Sequence, residues 1–264
     1  MFNKNEVLDK MLKYRVPYFN EEFPLILFWS QKSGCTSFAK WFFFQIGLLD
    51  EAIQYNPWIH LYEEEVYKNQ PNYKKELVKS LLISKKNTFK LVRDPYKRAV
   101  SQFLILATTP GLVQWEKEWE KIREYFYNDK KSKKGISFKQ FLYYIKDYDS
   151  IDDHFTPQYI QGEEIFVKNY IYLETFDAHI SEIEKKYGLK KSNLNLITKS
   201  THHLTSSMLL NGNYSDMEIT NETFIRERKF PTYKSFYDVE ATNLVNLIFH
   251  KDFEVYGYKK TGKV

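Results

Sequence analysis

The sequence has 264 residues, which is enough for one sizeable domain or two small ones. Hydrophobic residues make up 43% and charged residues 28% of the chain, within the range of globular proteins. The net charge of +5 suits an anionic ligand but is too small to indicate a nucleic-acid partner.

Several signals of export and membrane insertion are missing from the sequence. A single cysteine excludes an internal disulfide, so no oxidising compartment is indicated. The N-terminal residues contain no continuous apolar stretch of the signal-peptide type, and no apolar run approaches the about 20 residues that span a bilayer. We therefore expect a cytoplasmic protein without a membrane span, folded as a single domain over residues 1–264.

Predicted helices and strands alternate along the chain. A continuously apolar run predicts a buried strand at 24–30, TFKLV predicts a second buried strand at 88–92, and NYIYLE predicts a third strand at 169–174. Helices are predicted over 6–14, 36–47, 72–84, 94–107, 113–128, 136–147, 177–188 and from 238 onward, before an aromatic tail. Asp94 is a natural N-cap and Gly188 a natural C-cap. This alternation indicates an α/β fold with a mostly parallel sheet.

The turn QKSGCTS, at 31–37, lies between the first predicted strand and a helix. Ligands of parallel α/β sheets bind at the carboxyl ends of strands, and a helix start attracts anions. Lys32 supplies a charge, Gly34 permits close approach, and Ser33, Thr36 and Ser37 supply hydroxyl groups. The turn therefore predicts an anion site. Its lysine precedes its glycine, unlike the P-loop pattern GxxxxGK[ST], and no Walker-B aspartate is evident, which disfavours a nucleotide kinase.

A second polar stretch, RDPYKRAVS, follows the second predicted strand. Arg93 leaves the sheet at the same edge as the first turn, because parallel strands end at one edge. Arg98 and Ser101 lie three residues apart and share a helix face. Arginine and hydroxyl groups that converge on one point form a good phosphate site.

Together these stretches resemble the donor-binding motifs of the sulfotransferases that use 3′-phosphoadenosine 5′-phosphosulfate (PAPS). QKSGCTS is similar to PKxGxTS, which holds the 5′-phosphosulfate, with Gln31 in place of proline. RDPYKRAVS matches RDPxxRxxS, which binds the 3′-phosphate. DDHFTPQY, at 152–159, and the ending FHKDFEVYGY are similar to segments of the carbohydrate branch, whose Golgi enzymes sulfate chondroitin, dermatan and related glycans.

The resemblance implies a P-loop-like three-layer α/β fold, with a central, mostly parallel sheet flanked by helices. It implies sulfuryl transfer from PAPS to a hydroxyl of a carbohydrate, such as a glycan or a lipid-linked sugar, in polysaccharide biosynthesis. No metal is required, and no residue cluster has metal-ligand spacing. The membrane anchor and disulfides of the Golgi enzymes have no counterpart in this sequence, which favours a soluble member of prokaryotic type.

The resemblance also implies roles for individual residues. Lys32 reaches the bridging oxygen and stabilises the leaving phosphate, in a reaction that depends on positioning and charge stabilisation. The implied donor-binding residues are Lys32, Ser33, Gly34, Cys35, Thr36, Ser37, Arg93, Ser101, Lys199 and Ser200. A helix N-terminus beside a lysine activates a thiol, but no base lies near Cys35 in the sequence, so we expect packing under the phosphate rather than nucleophilic attack.

The acceptor hydroxyl needs a general base, and two histidines are the candidates. His60 lies between the two motifs, where some family members carry a catalytic histidine. His154 matches a motif position, and Asp152 or Asp153 is placed to orient its ring. A structural role for either histidine, or a carboxylate base within 63–65, stays open.

Two other functions also stay open at this point. The same machinery suits sulfation of a peptide tyrosine or of a small molecule. A catalytically inactive module that binds nucleotide or glycan would retain PAP, the desulfated form of the donor, without moving sulfate.

Overall fold

The computed structural model describes residues 3–83, 86–108, 115–148, 151–197, 207–220, 222–224 and 229–262. Two compact units are present. The first comprises Met1–Arg93 with Tyr159–Thr201, and the second comprises Asp94–Gln158 with His202–Val264. Each unit is built around its own apolar cluster. The single domain expected over 1–264 stays a prediction.

The described elements include the alternating helices and strands expected from the sequence, together with several short helices and strands that were not predicted. The helices are α1 (Lys4–Tyr14), α2 (Cys35–Gln45), α3 (Leu49–Tyr55), α4 (Ile59–Tyr62), α5 (Tyr73–Ile83), α6 (Pro95–Thr108), α7 (Glu116–Tyr127), α8 (Phe138–Asp147), α9 (Phe176–Tyr187), α10 (Leu194–Ile197), α11 (Val239–Ile248) and α12 (His250–Tyr256). The strands are β1 (Leu25–Phe28), β2 (Asn87–Val92), β3 (Asn169–Tyr172), β4 (Met208–Leu210) and β5 (Phe230–Pro231).

The sheet of the first unit is parallel, with strand order β1-β2-β3. Leu25 pairs with Asn87, and Phe89 pairs with Asn169. All four residues of β1 and five of the six in β2 are buried, which explains why β1 is continuously apolar. In β2 the buried Lys90 is paired with Glu163. This parallel sheet with flanking helices confirms the predicted α/β fold.

Two predicted helix ends are confirmed by their capping contacts. The carboxylate of Asp94 accepts a hydrogen bond from the Lys97 N–H at 3.0 Å, as an N-cap does. Gly188 adopts a left-handed φ of 63° after the last turn of α9. Asp94 therefore marks the start of α6 and Gly188 the end of α9, as their residue types predict.

The C-terminal aromatic tail differs from the prediction, because it forms a second helix, α12. Phe249, Phe253 and Tyr256 are all buried. Their spacing of four and then three residues places the rings on one helix face, which packs into the core of the second unit.

The segment between α2 and α5 was not predicted. It contains α3 and α4, of seven and four residues, followed by a π-helical turn at Glu63–Tyr67. Such short helices carry too few turns for a periodic apolar pattern, and no side chain caps the start of either one. The segment contains His60, so its irregular path determines where that side chain lies.

Within the described ranges, no helix is both long enough and apolar enough to cross a lipid bilayer.

Candidate active site

The loop between β1 and α2 is held in shape by a serine side chain. The Ser33 hydroxyl donates to the Ser30 carbonyl at 2.5 Å and accepts from the Ser30 N–H at 3.3 Å. The Ser33 N–H also donates to the Ser30 carbonyl at 3.2 Å. The hydroxyl predicted to contact the donor is therefore engaged within the loop, and Ser33 organises the turn.

The start of α2 depends on Gly34, which has a φ of 97°. A methyl group added to Gly34 would lie 2.5 Å from Cδ1 of Leu173, so both backbone angle and space favour glycine. No side chain caps the start of α2. The N–H groups of its first turn, which lack partners within the helix, therefore face the loop without a side-chain cap.

Arg93 reaches the loop from the end of the neighbouring strand. Its Nη1 donates to the Lys32 carbonyl at 2.9 Å, and Lys32 itself has a left-handed φ of 64°. β1 and β2 pair in parallel, so both polar stretches leave the sheet at one edge. This confirms the prediction that the two polar stretches begin at the same edge of the sheet.

His60 lies against the start of α2. Its Nε2 is 3.2 Å from the Thr36 hydroxyl, and its Nδ1 is 2.7 Å from a carboxylate oxygen of Glu63. A carboxylate only accepts, so this contact assigns the imidazole proton to Nδ1. In the neutral ring Nε2 is then an acceptor, directed at the loop.

Glu63 is the buried centre of this arrangement. Besides His60, its carboxylate accepts from the Tyr18 hydroxyl at 2.8 Å and from the Lys68 ammonium at 2.5 Å. Burial raises the pKa of the Glu63 carboxyl, but the Lys68 charge and the hydrogen bond and charge of His60 outweigh burial and lower it to about 2. The carboxylate is therefore charged and fully occupied at neutral pH.

The electrostatics of this cluster favour a charged histidine. Burial lowers the pKa of His60, but the charges and hydrogen bonds of Cys35 and Glu63 outweigh burial and raise it to about 10. Burial raises the pKa of the Cys35 thiol, but the charge and hydrogen bond of His60 bring it below its usual value. The fold thus brings to Cys35 the imidazole and orienting carboxylate that its local sequence lacks.

The second unit contains the other predicted histidine. Nδ1 of His154 lies 2.6 Å from the Asp152 carboxylate, so Asp152 is the partner that orients its ring, and the side chain is 37% exposed. Arg98 is buried, and its Nη1 donates to the Thr156 carbonyl at 2.8 Å. Arg98 therefore stabilises the backbone that follows His154. Ser101, the other predicted residue of this stretch, lies on α6.

The remaining predicted residues have varied positions. Ser37 is 4% exposed on the buried face of α2. Lys199 and Ser200 lie outside the described residues. In the parts of the chain that the structure describes, no group of three or more His, Cys, Asp or Glu side chains is placed to hold a metal ion.

Several contacts at this site were missed by the sequence analysis. Glu63 was considered only as an alternative base, although a glutamate three residues after a histidine shares its helix face. Buried at the loop, Ser30 Oγ and Trp29 Nε1 have no hydrogen-bond partner among the described residues. Buried polar atoms are normally paired, so these two atoms suit a site that binds a polar ligand.

Replacing Gly34 with alanine tests the loop geometry. We expect Gly34→Ala to lower the free energy of unfolding by about 1–2 kcal/mol for the left-handed backbone, and by about 1–3 kcal/mol more for the methyl contact with Leu173. Gly188→Ala is the matched control, because Gly188 is also left-handed but has no atom within 4 Å of an added methyl. Equal losses of unfolding free energy in the two variants, measured by urea denaturation, would contradict the close approach of Leu173 to Gly34.

Replacing Glu63 with glutamine tests the buried network. We expect Glu63→Gln to cost about 3–5 kcal/mol of unfolding free energy at pH 7, because Lys68 and His60 lose their carboxylate. The pKa of Glu63 in the folded protein lies below its ordinary value of 4.5, so this stabilisation is present above pH 4.5 and is lost as the pH falls toward about 2. The difference between wild type and variant should therefore narrow in acid.

The control for that measurement is Glu64→Gln, which changes the exposed neighbouring carboxylate. We expect its unfolding free energy to stay within about 0.5 kcal/mol of wild type. A Glu63→Gln protein as stable as the Glu64→Gln protein at every pH would refute the proposed importance of the network.

Comparison with protein families matches residues 18–259 to a model described as the sulfotransferase family. Comparisons with characterised proteins and with solved structures find no match. The matched residues include the loop before α2, His60, Glu63 and Arg93, and they cover most of the chain. The chain belongs to the sulfotransferase family.

Proposed function

We propose that the protein transfers the sulfuryl group of PAPS to a hydroxyl of a carbohydrate acceptor, by in-line displacement. One observation carries the proposal: Nε2 of His60 lies 3.2 Å from the Thr36 hydroxyl in the first turn of α2. A helix start that suits an anion thus adjoins a histidine whose ring is oriented by a carboxylate.

The loop residues suit the phosphosulfate end of PAPS. The N–H groups of Cys35 and Thr36 and the Thr36 hydroxyl would hold the 5′-phosphate at the positive end of α2. The donors Ser30 Oγ and Trp29 Nε1, which have no partner in the described chain, fit a ligand rich in acceptor oxygens. A loop with no ligand to bind would normally pair such buried polar atoms within the protein.

Lys32 and Arg93 would supply the positive charge. In the displacement, the bond between sulfur and the bridging oxygen breaks while the acceptor oxygen bonds to sulfur. Negative charge grows on the leaving phosphate, where the Lys32 ammonium would stabilise it. Arg93 holds the Lys32 carbonyl, and its guanidinium has several donors, so it can also bind the 3′-phosphate. Binding of that phosphate by Ser101, Lys199 and Ser200 is likewise proposed.

His60 is our choice for the general base. In its neutral form Nε2 would take the proton of the acceptor hydroxyl, and the imidazolium formed is stabilised by Glu63. Glu63 itself is a weaker candidate, because a carboxyl with a pKa of about 2 is a poor base. Glu63 therefore acts as a positioning residue. His154 is the second candidate, supported by its own contact with Asp152.

A carbohydrate acceptor is the proposal that the motif resemblance supports. Sulfation of a peptide tyrosine or of a small molecule would use the same donor site, so acceptor assays decide between them. A cytoplasmic location also stays a prediction.

Binding of PAP tests the donor assignment. We expect PAP at 100 times its Kd to stabilise the protein by about 2.7 kcal/mol, with a corresponding rise in Tm, and we expect no comparable effect of ATP.

Lys32→Ala should lower turnover of PAPS by about 100- to 1,000-fold, as loss of a donor to a developing anion does. Lys79→Ala, at an exposed lysine of α5, is the control. An equal shift with ATP, or full activity of Lys32→Ala, would overturn the donor assignment.

Paired histidine variants test the base. We expect His60→Ala to lower kcat by about 100- to 10,000-fold while the affinity for PAP is kept, and His154→Ala to retain activity. Because the pKa of His60 is raised, kcat/KM of the wild type should still be increasing with pH when the pH exceeds 6.5, the ordinary pKa of histidine. Glu63→Gln should shift that rise to lower pH, since a neutral partner no longer favours the imidazolium. The reverse result for the two alanine variants would assign the base to His154.

A further inference from the structure

Trp58 is the most exposed of the five tryptophans. It is 47% exposed, whereas Trp41, Trp115 and Trp119 are at most 5% exposed. Single exposed apolar residues are common on protein surfaces and need no explanation by themselves. An indole is the largest apolar side chain, however, and its burial normally contributes substantially to stability, so its location on the surface matters.

That location is beside the proposed base. The rings of Trp58 and His60 have centroids 5.9 Å apart with an interplanar angle of 67°. Nε2 of the same imidazole faces the Thr36 hydroxyl. The exposed indole therefore adjoins the place where an acceptor hydroxyl must lie for the base to reach its proton.

The backbone around Trp58 is held firmly. The Trp58 N–H donates to the Asn56 side chain at 2.8 Å, and the Trp58 carbonyl accepts from the Leu61 N–H at 2.9 Å. The next residue, Ile59, is fully buried. An indole has only two side-chain torsions, so it binds a partner at a small entropic cost.

The segment that carries this indole combines aromatic and acidic groups. Tyr55 is 49% exposed, and its hydroxyl donates to the Glu65 carboxylate at 2.6 Å. From 49 to 67 the chain has five acidic residues, of which Glu63 is buried, and neither lysine nor arginine. Carboxylates accept hydrogen bonds from sugar hydroxyls, but they repel an acceptor that is itself anionic.

We propose that Trp58 is the stacking platform for a neutral pyranose ring of the acceptor and positions one of its hydroxyls at Nε2 of His60. A pyranose presents a flat face of C–H groups, which packs on the indole, and a rim of hydroxyls, which the neighbouring carboxylates bind. This inference rests on the proposed function and narrows its acceptor to uncharged sugars.

Acceptor kinetics with labelled PAPS test the platform. Lactose, cellotriose and maltotriose are the neutral probes, and unsulfated chondroitin is the anionic probe. We expect a neutral saccharide to be the better acceptor. Trp58→Ala should raise its KM at least about tenfold, Trp58→Phe should raise it less, and the Tm shift with PAP should be unchanged. Ile53→Ala removes another exposed apolar side chain of the same segment and should leave KM unchanged.

Saturation-transfer NMR of the same saccharides, in the presence of PAP, measures the contact without turnover. We expect saturation of the protons on one sugar face with the wild type and its loss with Trp58→Ala. The platform is refuted by an unchanged KM, by preference for chondroitin, by absence of any saccharide signal, or by loss of the PAP shift in Trp58→Ala, which would assign the indole to adenine. Failure of the wild type to bind PAP would instead refute the proposed function.

Discussion

A hydrogen bond between two strand ends organises this site. Arg93, at the end of β2, donates to the Lys32 carbonyl after β1, across a distance of 2.9 Å. The bond is possible because the strands are parallel and end at one edge of the sheet. It holds Lys32 in a left-handed conformation, just before Gly34 turns the chain into α2. The position of Thr36, and so its contact with His60, follows from that turn.

Charge next to the loop before α2 is arranged around the buried carboxylate of Glu63. Glu63 binds a tyrosine hydroxyl, a lysine and the candidate base, and all three contacts involve burial that costs solvation. The solvation cost is offset functionally if the network orients a reacting group, because an imidazole already held in place needs no reorganisation during proton transfer. Cys35 and Glu63 together raise the pKa of His60 to about 10, so the charged imidazole is favoured at neutral pH and must lose a proton before it acts as a base.

Much of this fold follows from local rules in the sequence. A continuous apolar run predicted β1, the short segment TFKLV predicted β2, and residue type predicted the caps at Asp94 and Gly188. The α12 helix was missed because its aromatic residues were treated as a tail, although their spacing is helical. Arg98 was expected on the phosphate side of α6, but its guanidinium is buried and donates to the Thr156 carbonyl.

The candidate site was predictable only in part. The loop residues follow the strand directly, so their place at the sheet edge could be inferred. The contact of His60 with Thr36 depends on the irregular path of α3, α4 and the π-helical turn, for which sequence has no periodic signal. The environment of Cys35 was unpredictable for the same reason, because His60, whose charge and hydrogen bond lower the pKa of the thiol most, comes from that segment.

The most direct measurement is a crystal structure of the protein with PAP bound. We expect the 5′-phosphate to accept hydrogen bonds from the N–H groups of Cys35 and Thr36, with the Lys32 ammonium in contact and Nε2 of His60 facing the space where sulfur would lie. A PAP molecule bound away from this loop, or one whose 5′-phosphate leaves the start of α2 without a contact, would contradict the assignment of the site.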